Sequence, residues 1–120
     1  MIAVRRGEPG DLEEIRAIQA ASPQAAQWDV TDYLRYDLRV AVEGARVAGF
    51  LVCRTLAPSE SEILTVAVAP QLRRQGVGRA LVGAFLADTG GAAYLEVIAS
   101  NLAARNFYKS LGFQEVTVRS

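Results

Sequence analysis

The sequence predicts an α/β (α+β) fold: a mixed, mostly antiparallel sheet flanked by helices. Three observations carry this expectation. The apolar period switches repeatedly between the helical value of about 3.6 and the strand value of about 2. The segments run β-α-α-β-β-β-α-β-α-β, with the middle strands following one another through short turns. A Gly-x-Gly turn then joins a strand to a helix in the second half.

Each element has a local reason. Residues 2–5 alternate as a strand. Residues 9–21 read as an amphipathic helix, with Asp11 and Glu14 as a capping box and Leu12, Ile15, Ile18 and Gln19 on one face. Pro23 breaks that run, and residues 30–36 form a short second helix capped by Thr31 or Asp29. Residues 38–43 and 46–55 are strands of a hairpin turning at Gly44. Residues 57–59 are loop, and 62–68 form a third β run ended by Pro70. Residues 77–88 return to the helical period and stop at Gly90-Gly91. Residues 92–98 read as a strand and 101–111 as a helix with Asn101 at its start and Gly112 beyond its end. Residues 113–118 are the last strand.

At 120 residues the chain is expected to be one domain spanning 1–120. Apolar residues make up 51% and charged residues 22%, the balance of an ordinary globular protein. Thirteen basic residues balance thirteen acidic ones, so the electrostatic footprint of a nucleic-acid binder is missing. The single cysteine, Cys53, cannot form an intrachain disulfide, and within the apolar run 47–53 it reads as a buried strand residue. There is no histidine, which removes Ser-His-Asp and Cys-His catalysis and histidine-ligated metals. Acid–base chemistry falls to carboxylates, tyrosine, lysine or water, and no metal is expected. No apolar run has the length of a membrane span, and residues 1–6 lack a signal-peptide pattern. With so few cysteines, the cytoplasm is the expected compartment.

The segment Arg73-Arg74-Gln75-Gly76-Val77-Gly78-Arg79 sits between a strand and a helix. Glycine lets the backbone turn tightly and approach a ligand, and the first N–H groups of a helix have no partner of their own. The helix dipole adds positive potential there, so the segment suits a phosphate, with Arg74 and Arg79 as charged helpers. It is neither a Walker loop, which would end in Gly-Lys-Ser/Thr, nor a three-glycine dinucleotide fingerprint. On glycine spacing alone, a plain strand–helix turn with no ligand is an equal reading.

Read with its neighbours, the segment resembles the acetyl-CoA signature of the GNAT superfamily of acetyltransferases, here Arg73-x-x-Gly76-x-Gly78. The resemblance extends over residues 63–70, 73–81, 95–97, 100–105 and 108–113, in that order, and is strong from about 45 to 119. Within the superfamily it is most similar to the RimI-like, ribosomal-protein alanine, N-acetyltransferases. It departs from them at Ile98, where such chains usually carry arginine, and at its C-terminus, where such chains continue. A fragment, or a homodimer in which a second copy covers the gap, is the corresponding expectation.

The resemblance implies acetyl-CoA as co-substrate, lying where two strands splay apart. It implies that Val66, Ala67 and Val68 present backbone groups to the pantetheine and thioester. Arg73, Arg74, Gln75, Gly76, Val77, Gly78 and Arg79 would hold the pyrophosphate. Asn101 would contact CoA, Glu96 would act as general base and Tyr108 as general acid. Each has a plain alternative: Asn101 as a helix cap, Glu96 as a solvent-facing strand residue, Tyr108 as core-edge packing like Phe107. Trp28 and Tyr33 are either acceptor-side aromatics or hydrophobic anchors, and Glu60 and Glu62 either meet an amine or are solvated charges. The acceptor implied is a protein N-terminal α-amine. A small amine, a CoA-binding module without catalysis and a domain with no ligand are the competing readings.

Overall fold

The computed structural model describes residues 1–98 and 100–116. The chain runs β1 (Ile2–Arg6), a 3-10 turn (Pro9–Asp11), α1 (Leu12–Ala20), a 3-10 helix (Val30–Arg35), β2 (Asp37–Glu43), β3 (Arg46–Ala57) and β4 (Glu60–Val68). A second 3-10 turn (Pro70–Leu72), α2 (Val77–Thr89), β5 (Ala92–Tyr94) and α3 (Leu102–Ser110) complete it. The sheet order is β1-β2-β3-β4-β5. The first four strands are antiparallel neighbours and β5 runs parallel to β4, so the mixed, mostly antiparallel sheet expected from the sequence is present.

Cores lie on both faces of this sheet. Ile15, Ile18, Val30 and Tyr33 cover one face over Val40, Phe50 and Val52. Val77, Leu81, Val82 and Phe85 of α2 cover the other, over Ala41, Leu51 and Cys53. β3 is therefore buried on both sides from Val47 to Cys53, which is why its sequence is an unbroken apolar run rather than an alternation. Cys53 is buried within it, as expected.

An irregularity in β4 resets which way its side chains point. Val52 pairs with Thr65 and Cys53 with Ile63, leaving Leu64 without an opposite number. Such a bulge shifts the side-chain phase by one. Ile63 and Val66 accordingly pack on the same, α2-covered side although they are three positions apart.

Four expectations are corrected. The capping box of Asp11 with Glu14 does not form. The chain enters α1 through the 3-10 turn, so the Asp11 carboxylate accepts from the Glu8 N–H at 2.8 Å, while Glu14 accepts from the Val47 N–H at 2.9 Å. The second helix is a 3-10 helix; Asp29, not Thr31, caps it by accepting from the Thr31 N–H. The strand expected over 92–98 is paired only over Ala92–Tyr94, because β4 has no ladder with it beyond Glu62. Residues 113–116 carry no strand; the rest of that expected element lies outside the described residues.

Candidate acyl-CoA site

β4 and β5 pair as Glu60 with Ala92, Ser61 with Ala93 and Glu62 with Tyr94, and then part. Beyond that point β3 is the ladder partner of β4. The Ala69 N–H donates to the Ala48 carbonyl at 2.8 Å, which fixes the parity of the β3–β4 ladder. In an antiparallel pair, bonded and non-bonded positions alternate. Counting back through the register, Phe50 and Ala67 form a bonded pair, whereas Gly49–Val68 and Leu51–Val66 do not. Val66 and Val68 therefore turn their N–H and C=O groups into the gap. Those of Ala67 are spent on Phe50, so of the three residues expected to present backbone groups to a cofactor, only the outer two turn theirs into the gap.

After Val68 the chain makes its 3-10 turn and reaches the glycine segment. Arg74 adopts a left-handed conformation with φ 65°, and Gly76, with φ 84°, is the N-cap of α2. A left-handed position is open to glycine at no steric cost. No described side chain caps this helix. The Ala80 N–H closes the first helical bond onto the Gly76 carbonyl at 2.9 Å, which leaves the N–H groups of Val77, Gly78 and Arg79 without helical partners. The start of α2 is thus uncapped and carries the positive pole of a helix of 13 residues, an arrangement that can hold an anion.

Gly78 serves a second purpose. A Cβ built there would stand 3.2 Å from Phe107 Cζ and 3.8 Å from Val68 Cγ2. The first turn of α2, the end of β4 and the ring of Phe107 on α3 thus meet at this glycine. No local signal in the sequence announces this, since Phe107 lies 29 positions away.

The arginines of the segment are used unequally. Arg79 donates to Ser110 Oγ on α3 at 3.1 Å. Arg73 turns back into the protein: its Nε donates to the Val68 carbonyl at 3.3 Å, and Nη2 to the Ala21 carbonyl at 3.4 Å and Ser22 Oγ at 3.2 Å. Arg74 and Gln75 are exposed.

On the far wall, Asn101 is the N-cap of α3, its Oδ1 accepting from the Ala104 N–H at 3.1 Å. Its amide NH₂ stays open to a ligand, so capping and ligand contact are compatible. Tyr108 is half-buried, edge-on to Phe107 at 5.0 Å and to Phe113 at 5.6 Å. It packs with Phe107 and Leu95 on the core that also holds Val66 and Val68. No described residue hydrogen-bonds its hydroxyl, and burial pushes the phenol up to about 12. Residues 95–98 keep an alternation of exposure without a ladder: Leu95 and Val97 are half-buried, Glu96 and Ile98 exposed.

The remaining candidates separate cleanly. Tyr33 is an anchor, 1% exposed, its hydroxyl donating to Gln19 Oε1 and its ring 5.8 Å from Phe50. Trp28 is 51% exposed, held through its carbonyl by Gln19 Nε2 at 2.7 Å. Glu62 pairs with Arg54 at 2.8 Å, and Glu60 is exposed.

A splayed parallel strand pair with an open helix end beside it defines a class of protein, and comparison with known families agrees. The Acetyltransferase (GNAT) family model matches residues 11–113, and the chain belongs to that family. It is 37% identical over 91 residues to the [Ribosomal protein bS18]-alanine N-acetyltransferase of Escherichia coli K12, a match covering 72% of this chain and 59% of that protein. The chain thus spans about three-fifths of the length of the curated relatives it matches first. The crystal structure of the ribosomal-protein-S18-alanine N-acetyltransferase from Escherichia coli superposes with a TM-score of 0.81 at 30% identity, covering 98% of this chain and 80% of that one. Ard1 from Thermoplasma volcanium superposes with a TM-score of 0.87 at 30% identity, covering 97% and 84%.

Proposed function

We propose that residues 1–120 form a GNAT domain that transfers an acetyl group from acetyl-CoA to the N-terminal α-amine of a protein, in the cytoplasm. The observation that carries the reading is the uncapped end of α2 set beside the gap-facing edge of Val66 and Val68. The N-terminal alanine acceptor named for the Escherichia coli relative supports the choice of an α-amine. Zero net charge supports an acceptor other than nucleic acid. No helix among the described residues is long and apolar enough to cross a membrane. A homodimer built on the outer edge of β5 is compatible with this reading, and sedimentation equilibrium decides it.

Acetyl-CoA supplies an acyl group already activated as a thioester. The N–H groups of Val77, Gly78 and Arg79, with the loop from Arg74 to Gly76, hold the pyrophosphate. The Val66 and Val68 edge fixes the pantetheine as an added strand would be fixed, and the Val68 N–H polarises the thioester carbonyl. Glu96 takes the proton that an α-amine, with pKa near 8, must shed before it can attack, through an intervening water. A C–N bond forms as the C–S bond breaks; the attacking nitrogen sheds a second proton as the amide forms, both protons end on solvent, and sulfur leaves as thiolate. Tyr108, holding its proton far above neutral pH, hydrogen-bonds that thiolate.

The test is calorimetric titration with acetyl-CoA, followed by acetylation of peptides starting with alanine and of small primary amines. Binding with peptide turnover supports the reading. Binding with turnover of small amines alone redirects the acceptor. Binding without turnover of either points to a CoA-binding module, and absence of binding removes the acyl-CoA reading.

A further inference from the structure

The sequence motif counts Arg73 among the cofactor contacts, yet its guanidinium is committed elsewhere. It bridges the end of β4 and the end of α1. On one side it bonds the Val68 carbonyl, which belongs to the edge that faces the gap. On the other it bonds the Ala21 carbonyl and Ser22 Oγ, at the C-terminal end of α1. Helix-end carbonyls lack partners within their own helix and attract a cation through the negative pole of the dipole. Ser22 Oγ spends its own proton on the Ile18 carbonyl at 2.7 Å, so it meets Arg73 as an acceptor.

From Ser22 the network continues through the loop between α1 and the 3-10 helix. Gln27 Nε2 donates to the carbonyls of Gln19 at 3.0 Å, Ser22 at 3.1 Å and Ala25 at 3.2 Å. Gln19 in turn holds the Trp28 carbonyl and accepts from Tyr33. A continuous set of hydrogen bonds therefore joins the edge of the cofactor gap to the half-exposed Trp28. An arginine keeps its charge at every working pH and offers five donors in a rigid fork, which suits one side chain to three acceptors on two elements.

We propose that Arg73 is a positioning residue rather than a phosphate ligand: it ties loop 21–29 to the Val68 edge, so that filling the gap with an acyl-CoA is felt at Trp28. This rests on the acyl-CoA reading above and assigns loop 21–29 to the acceptor side of the same site.

Trp28 is the single tryptophan of the chain, so its fluorescence reports that loop alone. Acetyl-CoA is titrated into the wild type, Arg73→Ala and Ser22→Ala, with affinity taken from calorimetry and Trp28 emission recorded in parallel. The expected result is a wild-type emission change that saturates with the calorimetric isotherm. In Arg73→Ala the affinity stays within a few-fold while the emission change is lost, and in Ser22→Ala that change is reduced. An Arg73→Ala variant that loses tenfold or more in affinity yet keeps the Trp28 response at saturation overturns the proposal, because the guanidinium then serves the phosphates. A wild type that binds with no Trp28 response overturns it as well. If circular dichroism shows Arg73→Ala unfolded, Ser22→Ala carries the test, and an undiminished response there overturns the proposal. A wild type that does not bind acetyl-CoA fails the acyl-CoA reading itself, which is a separate result read before any variant is made.

Discussion

Three α-helices begin among the described residues, and they begin in two different ways. The turn entering α1 is closed by the Asp11 carboxylate, bonded to the Glu8 N–H and gripped by both arms of Arg5 at 2.9 Å. The start of α3 is closed by Asn101. The start of α2 is closed by nothing of its own, and glycine stands where a capping side chain would be. A good cap contributes about 1 kcal/mol. Its omission at the α-helix start beside Val68, and its presence at the other two, sets an end left open, where the proposed function places the pyrophosphate, against ends closed within the fold.

The strongest way to break this contrast is to place a charge on the open end. Gly76→Glu puts a carboxylate at the anion site and forces a side chain into a left-handed backbone. Acetyl-CoA affinity is expected to fall by about 100-fold or more, about 2.8 kcal/mol, since two or more charge-assisted hydrogen bonds are opposed. Calorimetry on protein shown folded by circular dichroism checks it, and affinity close to wild type would remove α2 as the phosphate site.

The next effect concerns what the closed end of α3 holds in place. Tyr108→Phe removes one hydrogen bond to a developing thiolate, so kcat is expected to fall about ten- to hundredfold with little change in acetyl-CoA binding. Because the phenol is pushed up to about 12, the wild-type rate should rise as the acceptor amine deprotonates near pH 8 and stay level to about pH 10. A descending limb near pH 9 that vanishes in the phenylalanine variant would contradict this.

Smaller effects come from opening the closed ends. Asp11→Asn is expected to cost about 1–2 kcal/mol in urea unfolding at neutral pH, since it loses a charge-assisted pair with Arg5. The hydrogen bond from Arg5 lowers the Asp11 pKa below its ordinary 3.8. That contribution is therefore fully present above the unfolded value and is lost as pH falls through the lower folded value. Wild-type stability should decline below about pH 4 more steeply than that of Asp11→Asn, and identical acid profiles would count against the assignment. Asn101→Ala should cost about 1 kcal/mol and a few degrees of Tm.

The contrast also marks how far the sequence could be read. Gly76, Val77 and Gly78 between a strand and a helix are a local pattern, and their geometry follows from backbone rules alone. Asn101 as a cap is local in the same sense. The capping role of Asp11 is visible in the sequence but its partner is not, because the 3-10 turn at Pro9 moves Asp11 back onto Glu8. The bulge at Leu64 leaves no mark in an apolar run, since either face of β4 accepts apolar residues there. The early end of the β5 ladder depends on how β4 departs from it, a relation between segments some thirty residues apart. Arg73 is legible as a motif member, but its partners Ala21 and Ser22 lie about fifty residues upstream and no spacing rule reaches them.

Cys53 has a practical consequence at the bench. The chain holds one thiol, 2% exposed on the central strand, in contact with the Asp37 carbonyl and pushed by burial up to about 12. Thiol reagents attack the thiolate, which is scarce here and shielded. In an assay of the proposed acetyl transfer, a colorimetric thiol reagent would therefore count released CoA, one molecule per turnover, against a silent protein background. The same reagent would register the protein thiol only when the chain unfolds, so a parallel sample without substrates reports the integrity of the fold.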